Sequence, residues 1–143
     1  MASMQKLVSL QAGKRPAARE QTNIRGASYQ LREEGTGRVV VARLELAKSL
    51  WKQTVGLLGR RQFPPETGMW LEPCNSIHTF GMQFAIDVLF LDASGCLIRA
   101  VRDLKPWRVC WPVWRARVVV EIPAGTVALR NIQTGIRYQL VGK

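Results

Sequence analysis

The residues with the clearest capacity for chemistry lie between Cys74 and Leu91, in the segment C-N-S-I-H-T-F-G-M-Q-F-A-I-D-V-L-F-L. His78, the only histidine of the chain, and Asp87 stand there among apolar residues. A histidine can transfer protons near neutral pH, and Asp87, predicted on the neighbouring strand, could orient its imidazole ring. Cys74 or Cys110 could supply a nucleophile. The candidate catalytic residues are therefore His78, Asp87 and Cys110.

Each of these residues also has a structural explanation. A histidine at a strand end can be held by a hydrogen bond to the backbone or to a carboxylate. Asp87 lies inside the apolar run I-D-V-L-F-L, so we expect its carboxylate to be buried and paired with an arginine or with backbone amides. Cys110 lies in a basic stretch whose positive charge could favour its thiolate, but free cysteines are mostly buried, unreactive residues. The structural explanations are the favoured ones.

A metal or cofactor site is not predicted. The three cysteines form no C-x-x-C pair, so the spacing of a zinc site is missing. A metal would require His78, Asp87, Cys74 and Glu121 to converge. Unpaired cysteines, no signal peptide and no apolar run long enough to span a membrane favour a soluble, cytoplasmic protein without a membrane span.

The best candidate for ligand binding is the segment from Lys105 to Arg117, K-P-W-R-V-C-W-P-V-W-R-A-R. Its two prolines argue against a helix or a central strand, so we expect a loop draped over a sheet. Its aromatic rings could stack on bases, sugars or the side chains of a partner. In the favoured alternative, the tryptophans plug the open end of a small β core. The predicted binding residues are Trp107, Arg108, Trp111, Trp114 and Arg115.

The pattern along the chain predicts many short strands. Residues 27–31 and the alternating run R-V-V-V-A-R-L-E-L at 38–46 predict a hairpin, and residues 47–58 have the spacing of an amphipathic helix. The run Ile86 to Leu91 predicts a strand buried on both faces, turned at Asp92–Gly95 into a partner strand, Cys96 to Val101. We therefore expect a mainly antiparallel β fold, a compact sandwich or partly closed barrel with one amphipathic helix.

The basic composition is the other strong feature. The formal net charge is +11, from 21 basic and 10 acidic residues, which allows nucleic acid or an anionic surface as a partner. The charge is spread along the chain, so specific nucleic-acid binding is not favoured. Residues 1–26 predict a basic, disordered tail, and residues 27–143 a single β-rich domain.

Several short motifs occur in an order that identifies a family. They are G-L-L-G-R (56–60), G-M-W-L (68–71), I-H-T-F-G-M (77–82), I-D-V-L-F-L-D (86–92), L-K-P-W (104–107) and E-I-P-A-G (121–125). Together they resemble the family called domain of unknown function 192, in its branch with an I-H-T-F-G-M segment. The resemblance implies a mainly β fold with one helix and supplies no reaction. The family usually has an acidic residue after the glycine of its last turn, where this chain has Ile136.

Three functions remain open from these observations. The leading interpretation is a non-catalytic module that binds a small ligand or a protein near His78, Asp87 and the segment Lys105 to Arg117, which we call the tryptophan loop. The second is a small hydrolase or transferase that uses His78 and Asp87. The third is a single-stranded nucleic-acid binder that uses the aromatic and basic loop.

Overall fold

The fold is built almost entirely of β-strands. The computed structural model of the protein describes residues 28–47 and 61–143. Its strands and its short helix are β1 (Tyr29–Glu33), β2 (Val39–Ala47), β3 (Thr67–Leu71), β4 (Ile77–His78), β5 (Ile86–Leu91), β6 (Leu97–Leu104), β7 (Val109–Cys110), β8 (Val118–Pro123), α1 (Thr126–Leu129) and β9 (Tyr138–Gly142). The predicted mainly β fold class is therefore confirmed.

Two of the sequence predictions lie outside the described residues. The disordered tail was predicted over residues 1–26, and the amphipathic helix over residues 47–58. Of that predicted helix only Ala47 is described, and it is the last residue of β2 rather than the start of a helix.

Seven strands form one sheet in the order β6-β5-β8-β3-β2-β1-β9. Neighbouring strands are antiparallel with one exception, the parallel pair of β2 and β3. Tight turns suffice for antiparallel neighbours, whereas parallel strands need a longer crossover. Residues 48–66 supply that length between β2 and β3. The strand β3 also fits closely against its neighbours, because a Cβ atom at Gly68 would lie 2.9 Å from Leu44 Cδ2.

The two edge strands of this sheet approach each other at one end. An isolated antiparallel bridge pairs Cys96 with Arg137. Beside it, the amide of Leu97 donates to the carbonyl of Ile136 over 2.9 Å, and the amide of Tyr138 donates to the carbonyl of Gly95 over 2.9 Å. The sheet is therefore curled, with its edges in contact, but it is not closed into a barrel.

Both predicted hairpins are present. The strands β1 and β2 pair antiparallel, with Leu31 opposite Val41. The strands β5 and β6 pair with Val88 opposite Val101, and Gly95 in their turn has a φ of 86°, a conformation that glycine adopts without strain. Every residue of β5 is buried, as its continuous apolar run predicts.

The sheet is covered on both faces by apolar side chains, which form two clusters. The cluster inside the curl includes Leu31, Val41, Trp70, Leu89, Val120 and Ile122. The cluster on the outer face includes Met69, Leu71, Val88, Phe90 and Val119, together with Ile77, Met82, Cys110 and Ala116 from the segments that cover this face. Burial on both faces explains why β5 and β8 read as apolar runs rather than as alternating ones.

Candidate functional site

A small two-stranded sheet covers the outer face of the large one. Its strands β4 and β7 pair antiparallel, with Ile77 opposite Cys110 and His78 opposite Val109. The pairing continues beyond the two strands, because the amide of Val113 donates to the carbonyl of Asn75 over 2.8 Å. Residues 74–80 and 105–117 thus run side by side, and we call these two segments the outer ribbon. The predicted tryptophan loop is one half of it.

Thr79 fastens the two halves of the outer ribbon together. Its side chain is fully buried. Its hydroxyl donates to the carbonyl of Lys105 over 2.6 Å and accepts from the amide of Arg108 over 2.9 Å. Its carbonyl accepts from the amide of Trp107 over 3.0 Å, and its amide donates to the carbonyl of Arg108 over 2.9 Å. One residue therefore fixes the backbone that carries Trp107 and Arg108.

The ribbon has one face toward the core and one toward solvent. Ile77 and its partner Cys110 are buried, whereas His78 and its partner Val109 are exposed. This alternation is expected of strands that pack one face on a core and expose the other face to solvent. The inward residues extend the apolar cluster of the outer face, and the outward residues are left free to contact a ligand.

Three rings lie together on the outward face. The rings of His78 and Phe80 are stacked, with centroids 5.0 Å apart and planes at 29°. The rings of Phe80 and Trp107 follow, with centroids 6.1 Å apart and planes at 33°. His78 Nδ1 accepts a hydrogen bond from the amide of Phe80 over 3.3 Å, which holds the imidazole in this row. The histidine is thus part of an aromatic surface.

The tryptophans do not plug the core. Trp107 is 65% exposed, Trp111 is 75% exposed and Trp114 is 88% exposed. The interpretation in which they cap the open end of the β core, which the sequence favoured, is therefore wrong. The core beneath is closed instead by smaller inward residues such as Ile77, Cys110 and Ala116.

Positive φ angles mark two of the predicted binding residues. Trp107 has a φ of 62° and Arg115 a φ of 70°, a region that residues with a Cβ atom seldom adopt and that costs roughly 1 kcal/mol or more. Such strain persists only where the surrounding contacts impose it, and the Thr79 hydrogen bonds are those contacts at Trp107. The backbone at Trp107 is therefore held in one conformation, from which the side chain extends into solvent.

The charged side chains of the outer ribbon other than the histidine are all basic. Lys105, Arg108, Arg115 and Arg117 are its charged residues, and it contains no carboxylate side chain. Lys105 pairs with Asp103 outside the ribbon over 2.6 Å. Within the part of the chain that the structure describes, no ion pair involves Arg108 or Arg117. These two guanidinium groups are available to an anion.

The carboxylate of Asp87 accepts hydrogen bonds from backbone amides. This carboxylate is fully buried. Oδ1 accepts from the amide of Asp103 over 2.8 Å, and Oδ2 accepts from the amide of Val127 over 2.9 Å. Among the described residues, no hydrogen bond joins Asp87 to His78. Of the two structural partners expected for Asp87, an arginine or backbone amides, the structure shows backbone amides. It does not bring Asp87 and His78 together as a catalytic pair.

Cys110 lies in surroundings that disfavour its thiolate. The side chain is 5% exposed. Burial raises the pKa of the Cys110 thiol above its ordinary value, and the positive charge of Arg99 offsets only part of that effect. The expectation that positive charge favours the Cys110 thiolate is therefore wrong, because burial of the side chain outweighs the nearby charge of Arg99. All three cysteines are free.

Glu121 is the other buried carboxyl group. It lies on β8 between Met69 and Val88 of the neighbouring strands and is 5% exposed. Within the described residues its Oε2 atom has no hydrogen-bond partner, and burial raises the pKa of this carboxyl to about 7. Burial and then the charge of Glu121 raise the pKa of the Cys74 thiol, against hydrogen bonds that lower it. An acid inside the run V-V-V-E-I-P is the sequence signal for this site.

The comparison with known proteins decides the family. The sequence model of domain of unknown function 192 (DUF192, Uncharacterized ACR) matches residues 30–140. The chain belongs to the DUF192 family. The resemblance found in its motifs is thereby confirmed. A UPF0127 protein of Thermococcus sibiricus is 34% identical over 110 residues, which cover 69% of this chain and 66% of that protein. This chain thus spans just under two thirds of that relative.

Two solved structures are similar to this DUF192 protein. One is a protein of unknown function from Novosphingobium aromaticivorans, with a TM-score of 0.65 and 20% identity over 78% of this chain and 83% of that one. The other, from Sinorhizobium meliloti, is described as a "putative transcription regulator", with a TM-score of 0.63 and 25% identity over 81% of this chain and 92% of that one. The first likeness shows the fold alone.

Two further properties of the described DUF192 residues bear on function. No three histidine, cysteine, aspartate or glutamate side chains in this part of the chain group together as metal ligands. No helix among residues 28–47 and 61–143 combines the length and the apolar character needed to cross a membrane.

The sequence did not identify Phe80, Val109 and Thr79 as parts of the site. Phe80 and Val109 are each 44% exposed on the outward face, and Thr79 carries the hydrogen bonds between the two halves. The sequence signal for Phe80 and Val109 is alternation with a period of two residues, which indicates a shared strand face. Phe80 lies two residues after His78, and Val109 lies two residues after Trp107 and two before Trp111. In the second segment that signal is only three residues long and lies between Pro106 and Pro112, which made a loop the simpler prediction there.

Replacing Thr79 by Val is expected to loosen the tryptophan loop. Valine keeps the shape but removes both hydroxyl hydrogen bonds and leaves the amide of Arg108 unsatisfied. We expect a loss of about 2 to 4 kcal/mol of stability and faster hydrogen exchange at the amides of Trp107 and Arg108. The measurements are urea unfolding and exchange followed by NMR. Thr79→Ser should restore most of the protection, and Thr134→Val, at an exposed position, should change neither quantity.

Proposed function

We propose that this protein is a non-catalytic binding module whose ligand contacts the outward face of the outer ribbon. One observation carries the proposal. The exposed large apolar residues among the described residues are Phe80, Trp107, Val109, Trp111, Trp114 and Leu129. All but Leu129 belong to the outer ribbon. Soluble proteins seldom leave several tryptophans in water without a use, and aromatic residues together with arginine dominate the energy of binding surfaces.

The way in which the rings are held supports binding rather than loose exposure. Thr79 and the positive φ of Trp107 fix the backbone beneath the rings. A surface that is already ordered loses little conformational entropy when a ligand binds. The core side of the ribbon packs on the sheet through Ile77, Cys110 and Ala116, so the outward face rests on the core.

The alternative of a small hydrolase or transferase gains no such support. It needs a carboxylate that orients His78, and both oxygens of Asp87 accept hydrogen bonds from backbone amides instead. It also needs a reactive nucleophile, and burial raises the pKa of the Cys110 thiol. The exposed His78 ring contributes to the aromatic row, which is a binding role.

The probe 8-anilinonaphthalene-1-sulfonate, an aromatic anion, is expected to bind the outer ribbon. Its rings match the exposed tryptophans and its sulfonate matches the arginines. We expect the double variant Trp111→Ala/Trp114→Ala to bind it about fivefold more weakly or worse, measured by the rise and blue shift of its fluorescence. Leu129→Ala removes the exposed apolar side chain outside the ribbon and is the matched control.

Two results would contradict this proposal. One is equal binding of the probe by the wild type and by the double variant. The other is a loss of binding in Leu129→Ala as large as that in the double variant. Thermal unfolding of each variant shows whether the fold is intact, and because the side chains of Trp111 and Trp114 are largely in water, we expect shifts in the melting temperature of only a few degrees.

A further inference from the structure

We infer that the outward face of the outer ribbon binds single-stranded nucleic acid, with bases stacked on its rings and phosphates held by its arginines. The inference rests on the proposed function, since it names the ligand class of the same surface. Proteins that bind single strands combine aromatic platforms with positive charge that follows the backbone. Both features occur here in the same two segments.

The rings form a row rather than a patch. His78, Phe80 and Trp107 are in contact along one face, and Val109 lies opposite His78 on the same face. Trp111 follows Val109 by two residues, which places it on that face of the extended segment. Val109 and Trp111 are about 6 to 7 Å apart along extended chain, and the rings of His78, Phe80 and Trp107 lengthen the row, so the surface suits about two to four nucleotides.

The exposed residues are aromatic, and this narrows the ligand class. Of the five large exposed residues of the ribbon only Val109 is aliphatic. Planar rings offer π-faces, which every base can meet by stacking, whereas a lipid surface or an ordinary apolar interface is served equally well by leucine and isoleucine. Neither leucine nor isoleucine is exposed on the ribbon, because Ile77, its single isoleucine, is buried.

The charge is complementary to a phosphate backbone. The ribbon has four cationic residues and no carboxylate. Arg108 follows Trp107 directly, and its guanidinium group has no ion-pair partner among the described residues. Arg108 is therefore the first candidate for a phosphate contact.

The test is fluorescence anisotropy with a labelled oligothymidylate of about twelve nucleotides. We expect binding that weakens steeply as salt rises from about 50 to about 300 mM. Trp107→Ala/Trp111→Ala is expected to weaken binding about tenfold or more, because two stacking platforms are lost. Arg108→Gln is expected to lower the slope of log affinity against log salt by about 0.7, the value for one phosphate contact on a single strand. Leu129→Ala is the control.

Four outcomes would overturn the inference. The first three are no binding at low salt, binding that the double tryptophan variant leaves unchanged, and equal or tighter binding of a duplex of the same length. A fourth is binding to vesicles that contain phosphatidylglycerol without binding to the oligonucleotide, which would assign the surface to anionic membranes. If the oligonucleotide does not bind while binding of the naphthalene probe still depends on the tryptophans, the inferred ligand class is wrong and the proposed binding surface is supported. If neither the oligonucleotide nor the probe binds through the tryptophans, both proposals are wrong.

Discussion

The protein should become less stable as pH rises from 5 to 8, and Glu121 should be the cause. Burial raises the pKa of its carboxyl from 4.5 to about 7 in the folded protein. The folded state therefore holds a proton that the unfolded state releases at lower pH. The contribution of Glu121 to stability is therefore fully present below pH 4.5, is lost through the interval up to about pH 7 and changes little above it. We expect a loss of about 2 to 3 kcal/mol between pH 5 and pH 8.

The physical reason is that burial penalises the charged form of the Glu121 carboxyl. Glu121 lies on β8 with Met69 and Val88 as its neighbours on the adjacent strands, and among the described residues no donor reaches its Oε2 atom. A neutral carboxyl costs far less to bury than an ionised one. The protein therefore keeps Glu121 protonated until the pH approaches 7.

Urea unfolding at pH 5 and pH 8 checks this expectation. Glu121→Gln keeps the shape and cannot ionise, so its stability should vary less between the two pH values than that of the wild type, by about 2 to 3 kcal/mol. Glu121→Met, of similar size and apolar, should be more stable than the wild type at pH 8. The control is Glu45→Gln, the same change at an exposed position of β2. An equal pH dependence in the wild type and in Glu121→Gln would show that this carboxyl is not the group that titrates.

The strand pattern could be predicted from the sequence where apolar periodicity and turn residues agree. The hairpin of β5 and β6 has both, since the run Ile86 to Leu91 is continuous and Asp92 to Gly95 has turn chemistry. The parallel pairing of β2 with β3 was not predictable in the same way. It depends on where a crossover returns, and neither strand carries that information in its own residues.

The candidate site, too, could be predicted only in part from the sequence. The sequence identified the tryptophans and arginines by composition, but it could not decide whether the rings point inward or outward. That choice depends on what fills the layer beneath, and in the structure Ile77, Cys110 and Ala116 fill it. Asp87 was expected to be buried because it interrupts an apolar run. Its partners, the amides of Asp103 and Val127, lie 16 and 40 residues away along the chain. Patterns of neighbouring residues cannot predict contacts over such separations.

Asp87 joins three elements of the fold, and its loss should be among the most damaging single changes. It lies on β5, and its carboxylate accepts the amide of Asp103 near the end of β6 and the amide of Val127 in α1. Asp103 has a φ of 53° and lies where the pairing of β5 with β6 shifts register, so the carboxylate also holds this strained stretch of β6 in place. Charge-assisted hydrogen bonds of this kind are the strong ones, and a buried amide left without its acceptor is costly.

We expect Asp87→Ala to lose about 3 to 5 kcal/mol of stability and Asp87→Asn about 2 to 3 kcal/mol, because asparagine keeps one oxygen acceptor and presents a donor to the other amide. The matched control is Asp103→Asn, whose exposed carboxylate pairs only with Lys105 in the described structure and should cost under about 0.5 kcal/mol. Urea unfolding and hydrogen exchange at the amides of Asp103 and Val127 measure both effects. If Asp87→Asn kept its stability and its amide protection while binding at the outer ribbon fell, Asp87 would serve the site through His78 after all. A loss of stability with ring contacts of His78 unchanged in NMR would confirm that this carboxylate belongs to the scaffold.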